Sequence, residues 1–521
     1  MASELPSSPV PPSATPGALP SIGRLRLVFL FVVGLAACWR FDPLGALIPS
    51  DNQIYFYIAE RAASGIPPHV SQFDPKNALS MLLTALAIAF GRAVGADDLM
   101  AARALAIFVT AAVPPLLYLV TRRLGGSSTM AWTAAAVPLL FPDYLMLAVG
   151  GARPKVFLVF FELLWVLAAA SGRPLLLGVA TGLCFLVWQP ALLLLLAAAA
   201  SMLFREHGRL KSLFLVAAGT AAPILAYESY FLWHGALADQ VYQSLVFPAS
   251  YGKPARSPFV VGQSLLYLNG PVTLRTVLLC AWTLLLALFW TAALAAPRRM
   301  WRRLRGRPAV VAVVLAATGT LAFNLYDYQG FPDRLFLLPF LAIVAGVVAG
   351  AVVDRAAGMV ARRSDPGRLR PWLEAGAVLV TGLLLLDALP DRRGRVGPLV
   401  QQRTVAARAA KMADEGKTIY AMGPVHLLAL ERRSNFNRYG YFPIRIRAWM
   451  SNRMKLEKPL LPVVGGKLPD IVLESRREIP IHQRWLKRFY RKGRYKAFAS
   501  QDIDVWQRVR KIPVPPKAIP F

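Results

Sequence analysis

The chain has 521 residues, of which 56% are hydrophobic, and its formal net charge is +31. Its mean hydropathy of +0.46 is high for a soluble protein, and many apolar runs reach the roughly 20 residues that a membrane-spanning helix needs. The three cysteines lie in apolar runs, without the spacing of a metal site or a disulfide framework. The composition therefore indicates a polytopic membrane protein and excludes a disulfide-stabilised secreted domain.

The amino-terminal segment 1–23 is rich in Pro, Ser and Ala and has little apolar character. This composition predicts a disordered cytoplasmic tail rather than a signal peptide. Arg24 and Arg26 then precede a long apolar run, 25–48, which we predict to be an uncleaved first span.

Acidic residues follow directly where this first span ends. Asp51 comes after Pro49-Ser50, the stretch 54–61 reads as a short amphipathic helix, and Asp74 lies in the sequence Phe73-Asp74-Pro75-Lys76. Ionisable groups beside hydrocarbon are costly, so they usually face a cavity and serve function. Two carboxylates in one loop beside the bilayer therefore predict chemistry at the membrane surface.

The basic loops indicate the topology, because Lys and Arg in short loops near span ends favour the cytoplasmic side. If the segment 77–94 crossed the membrane, Arg122-Arg123 and every later basic loop would lie outside, so we place it in the interface. The amino terminus is then cytoplasmic and the carboxyl-terminal region is periplasmic. The transmembrane domain, 24–390, contains about 11 spans. They are predicted at 25–48, 100–120, 128–149, 155–170, 174–189, 191–204, 212–232, 272–295, 309–326, 335–353 and 373–389.

The carboxyl-terminal region, 391–521, has a different composition, with 29 Lys and Arg against 10 Asp and Glu. Strand-like pieces at 418–423, 470–474 and 503–506, with a helical stretch around 484–490, predict a small α/β domain. A basic domain outside the cell rarely meets nucleic acid. Anionic lipid headgroups, a phosphate-bearing substrate or an acidic glycan suit its charge better, as does unspecific contact with an anionic membrane.

The order of these features resembles the GT-C class of polytopic glycosyltransferases, which includes protein O-mannosyltransferases and aminoarabinose transferases. The resemblance rests on Asp51 after the first span, on Phe73-Asp74-Pro75-Lys76, and on Asp333-Arg334-Leu335-Phe336-Leu337-Leu338-Pro339 at the start of a late span. It covers roughly residues 25–350. It implies a mainly α transmembrane bundle, a polyprenyl-phosphate sugar donor and an interfacial helix at 77–94.

Asp51 and Asp74 are the candidate catalytic residues. A carboxylate within reach of an acceptor hydroxyl can act as a general base, and the resemblance implies this role for Asp51. Asp74 would orient the acceptor or share the base role. The structural alternatives are a helix N-cap for Asp51 and a plain Asp-Pro turn for Asp74.

Four cations are candidates for stabilising the lipid phosphate that leaves. Lys155 and Arg334 are favoured, with Arg153 and Lys76 as weaker candidates, because all four lie on loops predicted outside the membrane. Fixed cations stabilise the charge that develops on a leaving phosphate. The alternative is ordinary snorkelling of long basic side chains at the headgroup level.

Other ionisable residues are weaker candidates. His69 reads as a surface residue of a Pro-rich turn, Asp97-Asp98 as a helix cap, and Asp502 and Asp504 as solvent-facing residues of a strand. No Asp-x-Asp lies near Asp51, and the sequence has no His/Cys cluster and no nucleotide-binding glycine motif. We therefore expect no cofactor and no metal.

The sequence thus predicts a bacterial inner-membrane glycosyltransferase with a small carboxyl-terminal α/β domain outside the membrane. It would transfer a sugar from a polyprenyl-phosphate donor to a glycan, lipid or protein acceptor. The alternative is a non-enzymatic lipid or glycan transporter, but such proteins often have internal repeats and charges at the middle of the membrane. The third interpretation is an enzyme of the same fold that transfers a preassembled glycan. The Trp-Trp-Asp motif that is usual in that class is missing from this sequence.

Overall fold

A computed structural model describes residues 23–49, 51–250, 258–266, 274–328, 330–361, 398–440, 468–475, 487, 490–493 and 503–509. Over these residues the chain is mainly helical. The first 18 α-helices are α1 Arg24–Trp39, α2 Asn52–Ala63, α3 Leu79–Ala93, α4 Asp98–Ala111, α5 Val113–Arg123, α6 Ser128–Ala136, α7 Pro142–Val149, α8 Pro154–Ala170, α9 Pro174–Val187, α10 Leu193–Met202, α11 Arg209–Trp233, α12 Leu237–Val241, α13 Phe247–Ser250, α14 Pro258–Leu265, α15 Leu274–Ala295, α16 Pro297–Leu304, α17 Pro308–Asp327 and α18 Leu338–Ala361.

Within the described ranges, three helical segments are long and apolar enough to cross a membrane: Asp98–Arg123, Arg209–Trp233 and Pro308–Asp327. The number rises to five if each of two bent helix pairs forms one span. The predicted count of about 11 spans is therefore not confirmed. One reason is length, because α8 has 17 residues and α9 has 14, fewer than the roughly 20 that a crossing needs. The predicted span 373–389 and nearly all of the predicted tail, 1–23, lie outside the described residues.

The first helix is shorter than the predicted span 25–48, because α1 ends at Trp39. The chain then turns at Asp42, whose carboxylate accepts a hydrogen bond from the Gly45 N–H at 2.9 Å. Pro43 also lies in this turn and cannot donate a backbone hydrogen bond to a continuing helix. The segment predicted to lie in the interface, 77–94, forms α3, a helix of 15 residues.

Helices α9 and α11 pack backbone against backbone. A Cβ added at Gly178 would lie 2.2 Å from the Val216 carbonyl oxygen, and one at Gly219 would lie 2.3 Å from the Leu175 oxygen. Small residues allow this close approach, which is the usual way for membrane helices to pack when no hydrophobic effect drives them together.

The carboxyl-terminal region contributes α19 Pro398–Asp414, α20 His426–Leu430 and four strands, β1 Ile419–Met422, β2 Ile471–Ser475, β3 Tyr490–Gly493 and β4 Ile503–Arg508. The strand order is β1-β2-β4-β3, with β1 and β2 parallel and the other pairs antiparallel. The three predicted strands are therefore confirmed. The prediction of a helical stretch around 484–490 is wrong at its end, because Tyr490 begins β3.

Asp504 is buried rather than facing solvent, which corrects the sequence prediction. It lies opposite Glu474 in the antiparallel pairing and forms an ion pair of 2.5 Å with Lys492 of β3. The alternation of residues along β4 could not reveal this, because both faces of the strand are covered.

The carboxyl-terminal region rests directly on α2, α3 and α4. A hydrophobic core joins residues of these helices with residues of the sheet and of α20. Ion pairs lie at the same interface: Glu60 binds Arg92 at 2.8 Å, and the buried Asp98 carboxylate binds Arg92 at 2.7 Å and the exposed Arg432 at 2.9 Å. The Asn435 N–H also donates to the Tyr57 hydroxyl at 2.8 Å. The bonds of Arg432 and Asn435 connect the carboxyl-terminal region to α4 and α2.

Replacing Asp98 with Ala should destabilise the protein by about 2 kcal/mol, because Arg92 and Arg432 lose their shared buried carboxylate, while water and Glu60 still solvate or pair the two guanidinium groups. Thermal unfolding in detergent measures the effect. The matched control is Asp97→Ala, which removes an exposed ion pair to Arg403 and the cap on the Met100 N–H. That change should cost only about 1 kcal/mol. Equal losses of stability in the two variants would contradict a special contribution of the Asp98 ion pairs.

Candidate active site

The site begins at the amino end of α2. Asp51 occupies the N-cap position, but its backbone is helical (φ −61°, ψ −18°) and its side chain makes no capping hydrogen bond. Its carboxylate instead binds Arg153 at 3.1 Å, and the Asp51 side chain remains 26% exposed. The side-chain capping role, which was the alternative to catalysis in the sequence analysis, is therefore absent, and the carboxylate is partly accessible to solvent.

The loop before α8 brings two of the predicted cations to this end of α2. A Cβ at Gly150 would lie 2.5 Å from the Asn52 amide nitrogen. Glycine at this position therefore lets the loop approach the Asn52 side chain closely. Asn52 in turn donates to the Leu147 carbonyl at 3.0 Å and so fixes the loop. Arg153 and Lys155 follow at the start of α8, and both are buried.

Tyr55, one helical turn after Asp51, lies between the cations. Lys76 Nζ is 4.9 Å and Arg153 Cζ is 5.7 Å from the centre of its ring, and Lys76 donates a hydrogen bond to its hydroxyl. Asp74 lies two residues before Lys76 and accepts a hydrogen bond from the Lys76 N–H at 3.3 Å. The structure thus brings together Asp51, Asp74, Lys76 and Arg153 around one tyrosine.

Burial shifts the protonation of the acids and bases in this loop. It raises the pKa of Asp74 from 3.8 to about 6, although the neighbouring Lys76 ammonium opposes the rise. Burial also lowers the pKa of Lys76, but the opposing influence of Tyr55, Asp74 and Asp51 is larger, so that pKa lies above its usual value. His69 is buried, not on the surface as predicted, and its burial lowers its pKa to about 4.

Lys155 forms a buried ion pair with Asp333, which lies 178 residues away in sequence. Its ammonium also lies 4.1 Å from the centre of the Trp188 ring, at the break between α9 and α10. The charges of Lys76, Arg153 and Asp51 act on this ammonium as well. Lys155 therefore belongs to the same electrostatic cluster as the two predicted acids.

Arg334 is buried next to this cluster, in a short 3₁₀ helix Phe331–Phe336. Its guanidinium donates to the carbonyl oxygens of Ser264 and of Leu265, the latter at 2.9 Å, at the end of α14. It also lies 5.2 Å from the centre of the Tyr328 ring. These contacts fix Arg334 to the protein backbone, whereas its binding of a phosphate stays a prediction.

Three participants, Tyr55, Asp333 and Trp188, were not predicted as site residues. Asp333 stands beside Arg334 in the segment that carries the resemblance, and that position was a usable signal. Tyr55 and Trp188 carry no signal that distinguishes them from interface aromatics. Within the described ranges, no group of three or more His, Cys, Asp or Glu is arranged to hold a metal ion.

Neither a scan against protein-family models nor a sequence search of curated proteins finds a match. Solved structures do match. ArnT from Cupriavidus metallidurans in the apo state has a TM-score of 0.59 at 15% identity, covering 94% of this chain and 99% of that one. The same protein bound to undecaprenyl phosphate has a TM-score of 0.58 at 14% identity, with 95% and 100% covered.

The oligosaccharyltransferase of Archaeoglobus fulgidus, tethered with an acceptor peptide, is more distant, with a TM-score of 0.49 at 13% identity over 87% of this chain and 70% of its own. The match to ArnT extends over nearly the whole of both chains. The predicted GT-C type of fold is therefore confirmed, without the predicted number of spans: the chain has the fold of ArnT, an aminoarabinose transferase of the GT-C class of membrane glycosyltransferases.

Proposed function

We propose that this chain is a membrane glycosyltransferase that moves a sugar from a polyprenyl-phosphate donor to an acceptor at the periplasmic face. The observation that carries the proposal is the cluster of Asp51, Asp74, Lys76 and Arg153 around Tyr55, together with Lys155, whose ammonium is influenced by the charges of Lys76, Arg153 and Asp51. This cluster lies in the fold of ArnT, whose structure has been solved with undecaprenyl phosphate. That lipid phosphate is therefore our first choice of carrier for the donor.

Asp51 is the proposed general base. The acceptor hydroxyl attacks the anomeric carbon of the donor sugar, the bond from that carbon to the phosphate oxygen breaks, and polyprenyl phosphate leaves. The hydroxyl proton passes to Asp51, whose side chain is the more exposed of the two acids. A single in-line displacement of this kind inverts the anomeric configuration.

Arg153, Lys155, Lys76 and Arg334 are proposed to stabilise the phosphate as its charge increases. Arg153 is paired with Asp51, and Lys155 with Asp333. A phosphate that binds Arg153 would compete with Asp51 for the guanidinium, because Arg can donate two parallel hydrogen bonds to either anion. Binding of the donor would then release the Asp51 carboxylate to act as a base.

Replacing Asp51 with Asn should lower transfer to a hydroxyl acceptor by roughly two to four orders of magnitude, since Asn cannot accept the proton. The unfolding temperature should fall modestly, because Asn also removes the ion pair with the buried Arg153, so folding is measured separately from transfer. The assay is transfer by the purified variant in nanodiscs, with undecaprenyl-phosphate pentoses and hexoses as donors.

Asp97→Asn is the matched control for Asp51→Asn. Asp97 caps α4 in the structure, lies outside the cluster, and should tolerate Asn because Asn is an equally good cap. Near-native transfer by the Asp51 variant would contradict the catalytic role, provided that the acceptor is a hydroxyl and not an already ionised phosphate.

Replacing Lys155 or Arg334 with Gln should lower kcat/KM for the donor by about 10- to 100-fold, the value of one or two charged hydrogen bonds. Release of undecaprenyl phosphate is the measurement, with Lys417→Gln as a control at an exposed ion pair far from the cluster. Native turnover by both variants, with both folded, would refute the phosphate assignment.

The acidic limb of the pH–rate profile should have an apparent pKa near 6. Asp74 has its pKa raised to about 6, so it becomes protonated below that pH, and activity that needs its charge falls about tenfold per pH unit. His69 stays neutral across this range because its pKa is lowered to about 4. Asp74→Asn should abolish the limb, and a limb that persists near pH 6 in this variant would assign it to another group.

A further inference from the structure

The turn that carries Asp74 is held by a glutamine from a distant part of the chain. Gln243 is fully buried, and its amide oxygen accepts a hydrogen bond from the Asp74 N–H at 3.1 Å. Its amide nitrogen donates to the His69 carbonyl at 2.8 Å. One side chain therefore binds both ends of the turn 69–74 and uses both of its polar groups to do so.

A second glutamine binds the next residue of the same turn. Gln189 lies at the break between α9 and α10, and its amide nitrogen donates to the Pro75 carbonyl at 2.9 Å. The same nitrogen donates to the Ser244 carbonyl at 2.8 Å. Gln189 thus ties the turn to the segment that presents Gln243.

The segment that presents Gln243 is itself unusual. Residues Tyr242–Val246 form a π-helical turn between α12 and α13, and such turns are rare and occur often at functional sites. On the opposite side of the turn, the Phe73 N–H donates to the Arg438 carbonyl at 2.7 Å. The segment that contains Asp74 is therefore held by three separate parts of the chain.

We propose that Gln243 and Gln189 are positioning residues that hold the Asp74-Pro75-Lys76 turn so that its carboxylate and ammonium face Tyr55 and Asp51. The role rests on the proposed transferase function. Gln243 binds the Asp74 N–H and the His69 carbonyl, and Gln189 binds the Pro75 carbonyl, so each acts through the backbone of the turn. Misplacement of a reacting or orienting group by about 1 Å can cost about 100-fold in rate.

The positioning is tested by the variants Gln243→Met and Gln189→Met, which keep the length of the side chain and remove its hydrogen bonds. Gln240→Met is the matched control, because Gln240 is also buried but donates within its own segment, to the Ser244 hydroxyl at 3.0 Å. All variants are studied as the full chain in nanodiscs.

The first measurement is amide hydrogen exchange of the peptide that covers residues 69–78. The Asp74 amide should exchange about tenfold faster in Gln243→Met, because its hydrogen-bond acceptor is lost. Exchange in the Gln240→Met control should match the native protein. Unchanged exchange in Gln243→Met would overturn the proposed hold on the turn, whatever the enzyme does.

The second measurement is kinetic, with release of undecaprenyl phosphate from undecaprenyl-phosphate pentoses and hexoses. Both positioning variants should lose about 10- to 100-fold in kcat, with the donor KM changed less than about threefold. Their acidic limb should move to lower pH, since a freed Asp74 becomes hydrated. In an Asp74→Asn background the Gln243→Met change should have little further effect.

The two measurements separate the possible failures. Faster exchange with native kcat and an unmoved acidic limb would overturn the positioning role and leave the transferase proposal intact. Absence of transfer by the native protein would refute the proposed function and, with it, the positioning of a catalytic turn, while the exchange data would still decide whether the glutamines hold the turn.

Discussion

The arrangement of this site depends on the cost of removing charge from water. Isolated buried ions are expensive, so a buried cation persists only beside an anion or several hydrogen-bond acceptors. Arg153 is paired with Asp51, Lys155 with Asp333, and the Arg334 guanidinium with backbone carbonyls. Each of these buried cations is therefore accompanied by the anion or the carbonyl oxygens that offset its desolvation.

The carboxyl-terminal region is part of this arrangement and not a separate attachment. Its segment 432–440 contacts the acid-bearing loop through the backbone bond from Phe73 to Arg438. The same segment pairs Arg432 with Asp98 of α4 and Arg438 with Asp239 of α12. These contacts partly neutralise a strongly basic segment. They also cover α2, nine of whose 12 residues are buried. The short helix that begins at Asp51 consequently has a fixed environment on both sides.

The site combines two kinds of residue with different physical roles. Asp51, Arg153 and Lys155 are charged, and they contact one another or Asp333. Gln189 and Gln243 carry no charge, and their amides bind the backbone of the turn rather than the charged side chains. Ion pairs balance charge over a range of geometries, whereas the amides define geometry, because a hydrogen bond restricts both distance and direction.

The sequence by itself determined the fold class and most members of the candidate cluster. Apolar runs, basic loops and acids placed beside a span follow from the cost of charge in hydrocarbon, which is a local property of the chain. This is why Asp51, Asp74, Lys76, Arg153 and Lys155 could be selected before any contact was known. The predicted strands were recognisable for a similar reason, since β-branched and aromatic runs favour extended backbone.

Only the tertiary structure decided which of these groups meet. The pairing of Lys155 with Asp333 spans 178 residues, and the bond from Asp74 to Gln243 spans 169. The burial of His69 and of Asp504 likewise depends on distant segments that cover them. No local pattern encodes such contacts, because they arise when helices and sheet pack together. The chemistry of each side chain could therefore be predicted from the sequence, whereas the residue that it contacts could not.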